Sequence, residues 1–171
     1  MERSIKIKNL HFPDDRLSKD RYYINIAKEV SMRGTCLIKN YGAVIVKNNR
    51  IVSTGYNGAP RQCYNCLQIG KCVKSEYRVN LDERDELCRA VHAEANAIIQ
   101  ASAEEMEGAT LYLYGREYNS NEPLSKIECC SMCKRLIINS GISMIKSLDE
   151  KGLIKTIRIE KLIFDDKNKF K

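Results

Sequence analysis

Cys88-Arg-Ala-Val-His-Ala-Glu-Ala-Asn-Ala-Ile-Ile99 is the stretch around which the chain is organised. Val91, Ala95, Ile98 and Ile99 recur at helical spacing, so the pattern predicts a helix from Val91 to about Ser102. His92 and Glu94 fall in its first turn. Downstream, Cys130-Ser-Met-Cys133 opens a second predicted helix, which carries Met132, Leu136 and Ile137 and stops at Ser140-Gly141. Between the two lies Ala109-Thr-Leu-Tyr-Leu-Tyr114, an apolar and aromatic run that reads as a strand.

Working outward, Tyr41-Gly-Ala-Val-Ile-Val46 and Ile51-Val-Ser-Thr-Gly55 are strands joined by the turn Lys47-Asn-Asn-Arg50. Before them, Asp14 or Asp15 is placed to cap a helix running to about Arg33. Leu17, Tyr23, Ile26, Ala27 and Val30 share one of its faces, and Gly34 stops it. After the hairpin, residues 61–87 are polar and cysteine-bearing without a clear period. A loop of that length inside a domain needs a reason, and a metal clip is one. Residues 115–127 form a polar loop, Ile142-Ser-Met-Ile145 and Lys155-Thr-Ile-Arg-Ile159 are short strands, and Asp165 to Lys171 is a solvated, disordered tail. The expected fold is a three-layer α/β sandwich: a five-stranded mixed sheet with helices on both faces. One domain spans residues 1–171, with its core at about 14–160 and no internal repeat or linker.

Composition narrows the function classes. No apolar run approaches the ~20 residues needed to cross a bilayer, which excludes a helical membrane protein. Met1-Glu-Arg-Ser-Ile-Lys6 lacks the apolar core of a signal peptide, so a cytoplasmic protein is expected. The net charge of +7 comes from dispersed lysines, not from a basic block. It therefore permits an anionic ligand without indicating a nucleic-acid surface.

The chain holds eight cysteines: Cys36, Cys63, Cys66, Cys72, Cys88, Cys129, Cys130 and Cys133. In a reducing compartment such a set points to metal before disulfides. Cys63-x-x-Cys66 and Cys130-x-x-Cys133 have the spacing of two thiolates on one zinc ion. His92, Cys130 and Cys133 together offer three zinc ligands. Three ligands leave a position for water, as in a catalytic site; a closed structural site would recruit Cys129 as well. Zinc so held brings the pKa of water to about 7. Glu94, two residues from His92, is placed to move protons without ligating. The dipole of the second helix favours the thiolate forms of Cys130 and Cys133.

His-x-Glu followed by Cys-x-x-Cys, each opening a helix, resembles the signature of the zinc-dependent cytidine/deoxycytidylate deaminase superfamily. The likeness is greatest to the deoxycytidylate (dCMP) deaminases. It is carried by Arg33-Gly-Thr-Cys36, Tyr41 to Val46 with Ile51 to Pro60, Cys88 to Ile99, and Glu128 to Ile142. The resemblance implies hydrolysis of dCMP to dUMP and ammonia, with Glu94 passing protons to the ring nitrogen and the leaving ammonia. It implies that Asn57 binds the sugar, that the Ala93 backbone and Glu94 read the base, and that Arg61 meets the phosphate. It further implies a second, structural zinc, held by Cys36, Cys66, Cys72 and Cys88, with Cys63 as the substitute for one of them. Self-association and the effectors dCTP and dTTP also belong to the family pattern. Where the family usually has proline before its Cys-x-x-Cys, this chain has Cys129, read here as a non-ligand. The alternatives are a deaminase of another cytosine nucleoside or nucleotide, a deaminase of a base in RNA, and a catalytically silent zinc module on nucleic acid.

Overall fold

The structure, a computed structural model, describes residues 15–77 and 85–168. Its centre is the apolar run of the hairpin. Strand β1 (Lys39–Lys47) is buried from Gly42 to Val46, as expected of a strand covered on both faces. Asn48 and Asn49 take φ of 50° and 60°, the left-handed pair that a two-residue hairpin turn requires. They deliver the chain into β2 (Arg50–Tyr56), antiparallel to β1 with an irregularity between Ile45 and Val46. On its other edge β1 pairs antiparallel with β3 (Thr110–Glu117). Strand β4 (Met144–Leu148) runs parallel to β3, and β5 (Ile154–Arg158) closes the sheet antiparallel to β4. The order is β2-β1-β3-β4-β5, the expected five-stranded mixed sheet.

Helices cover both faces, and two glycines fix how closely. Side chains alternate along a strand, so Gly42 and Ala43 point to opposite faces, and Gly55 shares the face of its cross-strand partner Ala43. A Cβ at Gly42 would collide with the backbone of Ala27 and Ser31 in α1 (Lys19–Ser31). A Cβ at Gly55 would collide with the backbone of Ala93 and Ala97 in α4 (Ala93–Ile99). Each glycine thus lets a helix sit directly on the sheet, one per face.

Several boundaries differ from the sequence expectation, each for a local reason. Helix α1 starts later than Asp14 or Asp15 because Ser18 is its cap, accepting the Arg21 N–H at 3.2 Å; Asp14 lies outside the described residues. The long cysteine loop contains two single turns, α2 (Cys66–Ile69) and α3 (Val73–Glu76), and a 3₁₀ turn at Asp85–Leu87. Helix α4 ends at Ile99 because Ser102 and Glu105 build a capping box that starts a new turn, α5 (Ala103–Met106). Helix α6 (Ser131–Asn139) supplies the crossover between the parallel strands β3 and β4, and Gly141 follows it at φ 77°. The expected solvated tail is helical as far as the description reaches: α7 spans Ile159–Asn168. Ile159, Leu162 and Ile163 sit at helical spacing and pack on the core, which is why the chain turns there instead of continuing as a strand. Among the described residues, no helix is long and apolar enough to cross a membrane.

Candidate active site

Both sequence motifs lie at helix starts. His92 is the N-cap of α4, and Cys130 is the N-cap of α6. The two helices lie on the same face of the sheet, with their starts converging. The Sγ atoms of Cys130 and Cys133 lie 3.4 and 3.5 Å from Nδ1 of His92. All three potential ligand atoms fall within 4.8 Å of one another, the one such trio among the described residues. An imidazole nitrogen and two sulfurs at this separation fit zinc.

Local sequence explains the placement. Gly58 and Val91 exchange both backbone hydrogen bonds, at 2.8 and 3.1 Å, so the residue before His92 is pinned to the end of β2. The Asn96 amide donates to the Tyr56 carbonyl at 2.7 Å and the Ser53 hydroxyl to the Ala97 carbonyl at 2.7 Å, tying α4 along the same strand. Cys133 is fully buried. It donates to Cys130, whose sulfur also accepts the Cys133 N–H at 3.4 Å. These bonds hold Cys130 far below the ordinary thiol range and push Cys133 up.

Glu94 is 4% exposed. Burial raises its carboxyl above the usual range, against the pull of its own backbone N–H, the nearby His92, and a hydrogen bond donated by the Cys129 thiol. Cys129 itself is raised well above the ordinary thiol value by burial and by the Glu94 charge, so it stays protonated.

A cavity of about 460 Å³ opens over these groups, lined by Asn57, His92, Ala93, Glu94, Cys129 and Cys130 among others. The Asn57 amide already works inside the protein: its oxygen accepts the Tyr41 N–H at 2.8 Å, and its nitrogen donates to the Lys39 carbonyl at 2.9 Å. One donor and one acceptor site remain on it. Arg61 is exposed in the turn after β2 and does not line the cavity. Three lysines do: Lys39, Lys74 and Lys126. Sequence reasoning missed them. No motif marks them, and their shared wall arises only from the fold.

The second cysteine set also gathers. Cys66 is raised first by burial and then by the charges of Cys36, Cys72 and Cys88, so these four lie within electrostatic reach of one another. The N–H groups of Ile38 and Ala90 donate to the sulfurs of Cys36 and Cys88, each at 3.4 Å. Cys63 is exposed. No three of these sulfurs are as tightly grouped as the His92 trio.

Donor set, buried glutamate and sheet architecture together point to the class of zinc-dependent hydrolytic deaminases. Comparison with known proteins gives the family. The profile of the cytidine and deoxycytidylate deaminase zinc-binding region matches residues 17–148, and the chain belongs to that family. A deoxycytidylate deaminase of Mycobacterium phage D29 is 35% identical over 132 residues, covering 74% of this chain and 91% of that protein. A deoxycytidylate deaminase of Saccharomyces cerevisiae is 33% identical over 133 residues, covering 76% of this chain but only 37% of the yeast protein. Among solved structures, the dCMP deaminase of cyanophage S-TIM5 in complex with dCMP and dUMP shares the fold, with a TM-score of 0.50 and 22% identity. That match covers 75% of this chain and 79% of the other.

Proposed function

We propose that this chain converts dCMP and water to dUMP and ammonia. The observation that carries the reading is the His92–Cys130–Cys133 trio beside the buried carboxylate of Glu94, at one cavity. In this reading His92, Cys130 and Cys133 hold zinc, which supplies the Lewis acidity that makes water nucleophilic near neutral pH. Glu94 delivers a proton to the cytosine ring nitrogen and then to the departing amino group. Burial raises this carboxyl above the usual carboxylate range, which favours its taking up a proton before passing it on. The Ala93 backbone and Glu94 meet the base, and the remaining donor and acceptor of Asn57 meet the sugar.

The choice of a monophosphate over a free nucleoside is supported by Lys39 and Lys74 on the cavity wall, with Lys126 beside them paired to the Glu128 carboxylate at 3.2 Å, which favour an anionic substrate end. The phage D29 and yeast relatives are named deoxycytidylate deaminases, and the cyanophage structure contains dCMP and dUMP. A second zinc at Cys36, Cys66, Cys72 and Cys88 is supported by their mutual proximity and by the N–H groups aimed at two of the sulfurs. Self-association is supported by Ile99 on α4 and by Met132 and Leu136 on α6, all exposed. Binding of dCTP or dTTP as effectors rests on the family resemblance alone.

The test is a substrate panel of dCMP, CMP, deoxycytidine, cytidine and dCTP offered to zinc-loaded protein, read by absorbance loss and ammonia release. dCMP is expected to turn over fastest. Zinc-loaded, folded protein that released no ammonia from any member would sink the enzymatic reading.

A further inference from the structure

One side chain on α4 reaches both segments that carry site residues at the edge of the sheet. Asn96 lies in the first turn of the helix, its own N–H bonded to the His92 carbonyl at 3.0 Å. Its side-chain amide donates to the Tyr56 carbonyl at 2.7 Å and lies 3.5 Å from the Val91 carbonyl. Tyr56 directly precedes Asn57, and Val91 directly precedes His92. The backbone bonds between Gly58 and Val91 join the same two segments, but they lie between one pair of residues and leave rotation about that point. The Asn96–Tyr56 bond falls off that line, so it fixes the angle. Strand β2 is the outer strand of the sheet, so its outward carbonyls have no strand to pair with. Helix α4 supplies the donors instead: Asn96 to Tyr56, and Gln100 to Thr54 at 2.9 Å. The two ties are alike in chemistry and differ in place. Tyr56 begins the turn that carries Asn57, whereas Thr54 lies back along the strand.

We propose that Asn96 is a positioning residue, whose amide sets the placement of Asn57 relative to the start of α4. The role rests on the deaminase reading above, in which Asn57 meets the sugar and the start of α4 holds the metal ligand His92 and the proton carrier Glu94. A base held through its sugar is attacked only if that anchor is in register with the reacting groups, and small misplacements cost rate.

The experiment compares zinc-loaded wild type with Asn96→Ala, Asn96→Asp and Gln100→Ala on dCMP. Alanine removes the donor, and aspartate keeps the shape without it. Both are expected to lower kcat about tenfold with KM within about twofold. Gln100→Ala removes the equivalent tie of the same helix to the same strand and is expected to leave kcat within about twofold of wild type. Zinc content and melting temperature establish that each variant is folded and loaded. Hydrogen exchange at the Gly58 and Val91 amides, read by NMR, is expected to be about tenfold faster in the Asn96 variants and unchanged in Gln100→Ala. Unchanged kcat in both Asn96 variants, an equal loss in Gln100→Ala, or unchanged exchange at Gly58 and Val91 would each overturn the proposal. If wild type itself deaminates nothing, the enzymatic reading falls, and the exchange rates still decide whether Asn96 holds the two segments together.

Discussion

The sulfur of Cys130 lies 3.4 Å from Nδ1 of His92, although 38 positions separate the two residues in the chain. Each is the cap of a helix, so two helix N-termini converge on one point. Positive helix ends favour thiolates and other anions, and here they meet two cysteines. Replacing His92 with alanine is expected to remove about one zinc per chain and to abolish ammonia release. Metal analysis beside the activity assay checks this. Chelation of the wild type should do the same, with recovery on adding zinc back.

Glu94→Gln preserves shape and removes the proposed proton carrier. The expected loss in kcat is on the order of 10²–10⁴, with zinc content and melting temperature near wild type. If the variant deaminated dCMP at the wild-type rate, Glu94 would have no part in the chemistry, and the silent zinc-module alternative would gain.

The four gathered thiols predict a metal count. Wild type is expected to hold about two zinc ions per chain. Cys66→Ser and Cys88→Ser should each lower the count by about one and lower the melting temperature, because the long loop loses its clip. Cys63→Ser should change neither, since that side chain is exposed. A wild-type count near one would remove the second site.

Asp20 gives a pH dependence away from the active site. Burial alone would raise its carboxyl, but the Lys146 ammonium at 2.7 Å and the Tyr112 hydroxyl at 2.7 Å prevail and lower it. A depressed carboxyl contributes stability above its unfolded pKa of about 3.9, and that contribution is lost as pH falls through the lower folded value. Wild type should therefore lose stability below about pH 4. Asp20→Asn should cost roughly 1 kcal/mol at neutral pH and flatten that acid limb, because the pair is partly solvated. Denaturant titrations at several pH values read both effects.

Gly55→Ala tests the seat of α4. The added methyl meets the backbone of Ala93 and Ala97, not a flexible side chain, so the helix must move off β2. A cost of about 1–3 kcal/mol is expected. Because His92 and Glu94 belong to that helix start, kcat should fall as well, even though residue 55 touches no substrate.

The sheet was legible because its strands are short apolar runs bounded by turn residues, and Asn48-Asn49 could only be a hairpin turn once both flanks were read as strands. The His92, Glu94 and Cys130-x-x-Cys133 motifs were legible because each opens a helical period. Three features were hidden. The Ser102–Glu105 capping box lies inside what reads as one continuous apolar helix region. Helix α7 was hidden because Ile157 and Ile159 fit strand alternation as well as helix, and only packing against the core decides between them. The lysines of the cavity come from three distant segments, and no pattern along the chain records that they converge.

The reciprocal bond between Gly58 and Val91 has a consequence for how this chain can be altered. The chain departs after Gly58 and rejoins at Val91 at one point, so both ends of the intervening segment are anchored together. The chemistry sits outside it, on the starts of α4 and α6. Lys74 and three of the four gathered cysteines sit inside it. Loop closure costs grow only slowly with length, so a segment of different size can be exchanged without moving His92. In the proposed reading, substrate preference resides in that segment and the chemistry in the two helix starts. A chimera that keeps Gly58 and Val91 and swaps what lies between them is the direct way to retune one without rebuilding the other.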